Sequence, residues 1–185
     1  MEQSDEQLIN NYFSGGEESL EILIKRYLKP IYSFSYRYVN NFQDAEDIAQ
    51  DVFVKIWRNL KKFDKKKSFR IWIFAIAKNA CLDWLKKKKA IPFSNFENEQ
   101  GENIVLEKLT DPTPLASKIS EQIGVAEILN SAIQQLPLRY RPVIFLHYND
   151  HFTFGEIAEI LDEPLNTVKS QHRRALIQLK KLLAD

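Results

Sequence analysis

Hydrophobic positions along this 185-residue chain recur at three and four residues almost throughout, a spacing that predicts helices rather than strands. Ser4 is placed to cap a short helix over Asp5 to Phe13, which Gly15 and Gly16 end. From Glu17 to Val39 the residues Leu20, Leu23, Tyr27, Ile31, Phe34 and Tyr38 fall on one face, with Pro30 expected to kink or divide the run. Asn40 and Asn41 stop it. Asp44 to Leu60 is strongly amphipathic, its inner face marked by Ala45, Ile48, Ala49, Val52, Ile56 and Leu60. Phe69 to Leu85 is apolar almost all round: Phe69, Ile73, Ile76, Ala80 and Trp84 suffice for one face, which leaves Arg70, Trp72, Phe74, Lys78 and Asn79 for another use. Periodicity then lapses over residues 90–118, where scattered Glu and Asn with Pro112 and Pro114 read as an acidic linker. Two further helices are expected, one capped by Ser120 and running to Leu136, the other over about Arg139 to Tyr148 with Pro142 in its first turn.

The stretch from Phe154 to Leu183 has the form of a helix-turn-helix. In Phe154 to Leu161 the residues Ile157, Ala158, Ile160 and Leu161 crowd one side, and small Ala158 permits a close crossing by a second helix. Pro164 breaks the helix and Asn166 is expected to cap the next, along which Val168, Ala175, Leu176, Leu179 and Leu183 form the inner stripe. Lys169, Ser170, Gln171, Arg173 and Arg174 lie mostly off that stripe, in the helix's N-terminal half. A recognition helix in the DNA major groove needs donors in that place. A plain helical hairpin with a solvated basic face gives the same pattern.

Composition supports an all-α protein, with five Gly and seven Pro, 44% hydrophobic residues, and twelve Phe, seven Tyr and three Trp. A single cysteine, Cys81, excludes an internal disulfide framework and sits in an apolar run where a buried, inert thiol is expected. The polar start and the shortness of Ile71 to Ala77, the longest apolar run, point to the cytoplasm. No metal-ligand cluster, Gly-rich phosphate loop or nucleophile–base set is visible, so neither catalytic residues nor a cofactor is expected.

Net charge is only +1, but it is unevenly distributed. Residues 1–54 carry 4 basic and 10 acidic side chains and residues 55–89 carry 13 and 2. The final stretch, 166–185, carries 5 and 1, and the segments between are acidic. Two separate contacts with a polyanion fit that alternation. In the first basic segment the lysines of Lys61 to Ser68 accompany Phe63, and the helix after it carries Arg70 and Trp72. Aromatics interleaved with cations suit single-stranded nucleic acid, which stacks its bases and lays its phosphates on such surfaces. Core aromatics with lysines extended to solvent suit the pattern equally well. Asp47, Gln50, Asp51 and Val54 form a second stripe on their helix, acidic and then apolar.

Three blocks in order resemble the extracytoplasmic-function group of bacterial sigma factors, small relatives of sigma-70. Asp44 to Trp57 (DAEDIAQDVFVKIW) is similar to region 2.2. Phe69 to Lys87 (FRIWIFAIAKNACLDWLKK) is similar to regions 2.3 and 2.4, with Trp72, Ala77, Asn79 and Asp83 at pattern positions. LPLRYRPVIFLHY and FTFGEIAEILDEPLNTVKSQHRRAL are similar to region 4. The resemblance implies two small helical domains joined by a flexible linker: residues 1–90 for polymerase binding and minus-10 recognition and melting, a linker over 91–118, and a four-helix domain over 119–185 whose helix-turn-helix reads the minus-35 duplex. It implies that Asp47, Gln50, Asp51 and Val54 dock on the clamp helices of the polymerase largest subunit. It assigns the minus-10 strand to Phe63, Lys65, Lys66, Lys67, Phe69, Arg70, Trp72, Lys78 and Asn79. It assigns the minus-35 duplex to Asn166, Thr167, Lys169, Ser170, Gln171, Arg173 and Arg174. The polymerase flap and an anti-sigma factor are the other implied partners.

Several positions depart from that pattern. Asn166 stands where Gly is commonest, His147 where Arg is frequent, and Gly155 where Glu is frequent. Gln171 replaces a usual Arg; since Gln suits adenine N6 and N7 where Arg suits guanine, an altered minus-35 preference is expected. His172 occupies a usually apolar position and is expected to be half-buried and hydrogen-bonded. The competing reading is a stand-alone helix-turn-helix regulator, which leaves the first ninety residues without a task.

Overall fold

The computed structural model describes residues 3–90 and 128–184, and every regular element among them is helical. Helix α1 (Asp5–Phe13) starts with a capping box, Ser4 accepting from the Gln7 amide while the Gln7 side chain accepts from the Ser4 amide. It ends at Gly15, whose φ of 99° favours a residue without Cβ. Of the two outcomes expected at Pro30, a kink or a division, division does not occur: helix α2 (Glu18–Val39) runs through it. The lost hydrogen bond is local, whereas Leu23, Tyr27, Ile31, Phe34 and Tyr38 are buried on both sides of it and hold one continuous face. Asn40 turns the chain in a left-handed conformation, φ 51°, and Asn41 caps α3 (Phe42–Asn59) by accepting from the Asp44 amide. A 3-10 turn, Leu60–Lys62, leads to the basic loop and α4 (Phe69–Ala90).

The linker expected over 91–118 and the expected Ser120 cap lie outside the described residues. The second half begins with helical residues 128–135, here α5, followed by α6 (Arg141–Ile144). The expected helix to Tyr148 instead continues as a π-helical turn over Phe145–Asn149. His151 follows with φ 55°, and then α7 (Phe154–Leu161) and α8 (Leu165–Leu182) complete the fold. Thr153 and Glu156 form a second capping box at the start of α7. At the start of α8, Asn166 makes no cap; Pro164 occupies the capping position with no side-chain bond, and its ring fixes the entry to the helix.

A first core gathers α1 to α4 around Leu8, Leu23, Ile31, Phe34, Val52, Ile56, Ile73 and Phe74. It does not stop at the first half. Val143, Leu146, Phe152, Ile157, Ile160 and Val168 belong to the same cluster, because α7 lies on α4. A smaller core joins Ile133, Leu136, Tyr140, Phe145, Ala175 and Leu179. Leu176 and Leu183, expected inside, are 40% and 47% exposed; each lies at the margin of the stripe centred on Val168, Ala175 and Leu179.

Candidate nucleic-acid interface

The aromatic residues of the basic loop divide into floor and surface. Phe63 and Phe69 are buried, Tyr27 packs edge-on against Phe69, and Phe63 meets Phe69 edge-on and Trp72 at 4.9 Å between centroids. Beside the two rings a small pocket of about 70 Å³ remains, lined by Phe63 and Phe69 with Glu6, Ile9, Asn10, Lys65 and Lys67. Packing takes both rings, and they fix Trp72, which is half-buried. Lys65 is also committed within the fold, donating to Asn10 Oδ1 at 2.8 Å and lying over the Phe13 ring. Lys66 and Lys67 remain exposed, on a turn held by the Asp64 carboxylate and carbonyl.

Trp72 and Asn79 stand on the same side of α4, two turns apart, and line an open groove of about 360 Å³. Its other walls are Ile76 and, from α3 and its 3-10 extension, Lys55, Asn59 and Lys62. The groove thus combines an indole face, two amides and two ammonium groups. Those groups can stack a base, hydrogen-bond its edge and neutralise phosphates. Lys55, Asn59 and Lys62 were absent from the sequence-based set; the signal was their recurrence at i, i+4 and i+7 on the polar flank of α3.

Arg70, Phe74 and Lys78 point to a different side of α4, and the second half occupies it. Arg70 donates to the Asp150 carbonyl and lies 4.1 Å over the Phe152 ring, while Lys78 donates to the Leu161 carbonyl at 3.3 Å. Phe74 is buried edge-on against Phe152. The nine expected minus-10 residues are therefore not one surface. Trp72 and Asn79 share the groove, Lys65 and Lys67 line a smaller pocket with Phe63 and Phe69, Lys66 is exposed on the loop, and Arg70 and Lys78 face the second half.

On the outer face of α3, Asp47, Gln50, Asp51 and Val54 are all exposed along one line. Trp57, 61% exposed and one turn further on, extends the line and was missed. An indole left in water beside carboxylates and Val54 is an unusual use of a large apolar side chain.

On α8, Asn166, Thr167, Lys169, Ser170, Arg173 and Arg174 are exposed, and Gln171 is half-buried at their flank. The Gln171 amide nitrogen donates to Glu163 Oε2 at 2.6 Å, and its carbonyl oxygen is buried without a partner. A carboxylate only accepts, so Glu163 fixes which way the amide faces. Bidentate pairing with adenine needs both of these atoms free, and in this structure neither is available. His172 packs as expected: its Nε2 is 3.1 Å from the Tyr148 hydroxyl, and its ring meets those of His147, Tyr148 and Phe154. Burial, with help from His147, pushes its pKa below the ordinary histidine value. Cys81 is buried and its thiol pKa is pushed up to about 12, which makes it inert at neutral pH.

Among the described residues, no helix is long and apolar enough to cross a membrane and no three His, Cys, Asp or Glu residues are grouped to hold a metal. The family models for Sigma-70 region 2 and Sigma-70, region 4 match residues 23–91 and 126–179. The ECF RNA polymerase sigma factor SigW of Bacillus subtilis is 30% identical over 186 residues, covering 100% of both chains. The ECF RNA polymerase sigma-E factor of Escherichia coli is 29% identical over 177 residues, 93% of this chain and 90% of its own. Among solved structures, CnrH in complex with the cytosolic domain of CnrY superposes with a TM-score of 0.70 at 22% identity, covering 98% of each chain. The sigma factor RpoE in complex with the anti-sigma factor NepR from Bartonella quintana gives 0.66 at 20% identity, covering 88% of this chain and 93% of its own. At these identities the structural likeness speaks for the fold.

Proposed function

Because the chain belongs to the extracytoplasmic-function group of the sigma-70 family, we propose that it binds core RNA polymerase and directs promoter-specific initiation. It is a non-catalytic regulator of transcription; bond formation belongs to the polymerase. In this reading residues 1–90 bind the polymerase and open the minus-10 element, 91–118 tether the two halves, and 119–185 read the minus-35 duplex. It works in the cytoplasm, where its template is, and an anti-sigma factor restrains it.

The observation that carries the reading is the groove under Trp72 and Asn79, because its aromatic, amide and cationic groups are matched to an unpaired strand. Lys55, Asn59, Lys62, Lys66 and Lys67 follow the backbone, Trp72 stacks a base, and Asn79 takes a base edge. Asp47, Gln50, Asp51, Val54 and Trp57 form the polymerase-facing stripe. In the duplex, Ser170, Arg173 and Arg174 meet the bases and Asn166, Thr167 and Lys169 the phosphates, with Gln171 held back by Glu163. Permanganate footprinting with reconstituted polymerase tests the assignment. Unpaired thymines should appear at the minus-10 element with the wild-type protein and fall at least tenfold with Trp72→Ala or Asn79→Ala. Undiminished opening by both variants would remove the groove from the mechanism.

A further inference from the structure

Helix α1 supplies none of the residues assigned to the strand, the polymerase or the duplex, and the match to Sigma-70 region 2 begins at residue 23, beyond its end. Yet α1 is firmly held. Leu8 and Ile9 are buried in the first core, and the Asp5 carboxylate accepts from both the Tyr27 hydroxyl and Arg26 Nη1 of α2. A helix of nine residues is marginal by itself, so its order comes from these contacts.

The use of that order is visible where α1 meets the basic loop between the 3-10 turn and α4. Glu6, Asn10 and Phe13 recur at i, i+4 and i+7, one stripe of α1 beside its buried face. Lys65 Nζ donates to Asn10 Oδ1 at 2.8 Å and lies 4.5 Å from the centre of the Phe13 ring. Glu6, Ile9 and Asn10 wall the small pocket on the α1 side, and its volume of about 70 Å³ is contact that helix and loop do not make. Lys65 therefore supplies the specific ties, in the middle of the loop. The loop's far end is fixed from the same helix. Asp5 holds the Tyr27 hydroxyl, and the Tyr27 ring packs edge-on against Phe69, which with Phe63 supports Trp72.

A loop of this composition needs a brace. Lys61, Lys62, Lys65, Lys66 and Lys67 stand close together, their charges repel, and a free loop gives up conformational entropy when a strand binds. A loop ordered beforehand has already lost that entropy. We propose that α1 is a positioning element for strand capture: Asn10 and Phe13 hold Lys65, so that the loop presents Lys66 and Lys67 and supports Trp72, and Lys65 acts through this hold rather than on a phosphate. This inference rests on the strand-reading function proposed above.

Two single substitutions at the exposed Asn10 test it without disturbing the core. Asn10→Ala removes the acceptor for Lys65, whereas Asn10→Asp keeps an acceptor and adds a negative charge. Fluorescence anisotropy of a minus-10 oligonucleotide on the reconstituted holoenzyme should show about a fivefold loss of affinity for Asn10→Ala and affinity within about twofold of wild type for Asn10→Asp. Lys65→Ala should match Asn10→Ala, and the two substitutions together should be no weaker than either alone. A Lys65 that touched a phosphate would reverse the order. Asn10→Ala would then free the ammonium and bind at least as well as wild type, Asn10→Asp would bind more weakly, and Lys65→Ala would lower the log–log salt slope by about 0.7. Either pattern overturns the brace. Hydrogen exchange on the free chain reads the loop without reference to promoters. The Lys67 amide, bonded to the Asp64 carbonyl at 2.9 Å, should exchange at least about threefold faster in Asn10→Ala and at the wild-type rate in Asn10→Asp. Unchanged exchange in Asn10→Ala would also overturn the proposal. A wild-type holoenzyme that failed to bind the oligonucleotide would count against strand reading, and the exchange comparison would still decide the brace.

Discussion

Trp72 and Arg70 are two residues apart, share one helix and belong to one sequence block, yet one lines an open groove and the other is closed against the second half. A helix turns ~100° per residue, so neighbours in a motif separate in space. The groove pair should behave as a binding unit. Replacing the Trp72 ring by Ala is expected to lose about 1–3 kcal/mol of strand affinity, roughly 5- to 150-fold, measured by fluorescence anisotropy of a minus-10 oligonucleotide on the reconstituted holoenzyme. Gln171 shows the limit of reading an amino acid by its usual partner. Its type suggested an adenine contact, but nothing in the sequence said that Glu163 lies 2.6 Å away across the turn. An arginine placed at 171 would find the same carboxylate. Gln171→Arg alone should therefore leave the minus-35 preference unmoved in a randomised-promoter selection, and Gln171→Arg with Glu163→Ala should shift it. A shift with the single substitution would restore Gln171 as a base reader.

Elements with their own signals were legible in the sequence. The bounds of α1 and α7 follow from caps and breakers beside them, and the Thr153 to Glu156 capping box, though not picked out, has the plain form of one. Thr153→Ala is expected to cost about 1 kcal/mol, read as a lower urea midpoint with unchanged slope. Elements whose ends depend on packing were less legible. Pro30 failed to divide α2 because a continuous buried face spans it, and α8 begins on Pro164 rather than on Asn166. The π-helical turn at Phe145–Asn149 has no breaker residue to announce it, yet it helps place His147 and Tyr148 against His172. That cluster makes the helix-turn-helix sensitive to acid. The folded pKa of His172 lies below its ordinary 6.5, so the stability it contributes is complete above about pH 6.5 and is lost as pH falls from there through the folded value. Thermal midpoints between pH 7.5 and 5 should fall for the wild type more than for His172→Leu; parallel curves would exclude His172 as the source.

At the scale of the whole molecule, amphipathic periodicity was enough for an all-α protein, and the alternation of charge for two basic segments along it. They were not enough for the shared core, because Phe74 stood outside the face that sufficed for the first half, and Phe152 and Ile157 look like ordinary core residues of the second. The ion pair of Arg37 with Asp150, at 2.7 Å, was equally invisible: its partners are 113 residues apart and each alone reads as a surface charge. Burial pushes the Asp150 carboxyl pKa above its ordinary value, with Arg37 and Arg70 pulling back, so removing either partner strands a buried charge. The cost expected for removing one partner is about 3–5 kcal/mol, read as a lower urea midpoint for Arg37→Ala. The central claim, promoter-specific initiation by this chain, is tested most directly by run-off transcription with purified core polymerase on fragmented DNA of its own genome. Discrete transcripts that require the protein and are lost with Trp72→Ala are predicted. No promoter-specific transcript at any salt concentration tried would contradict it.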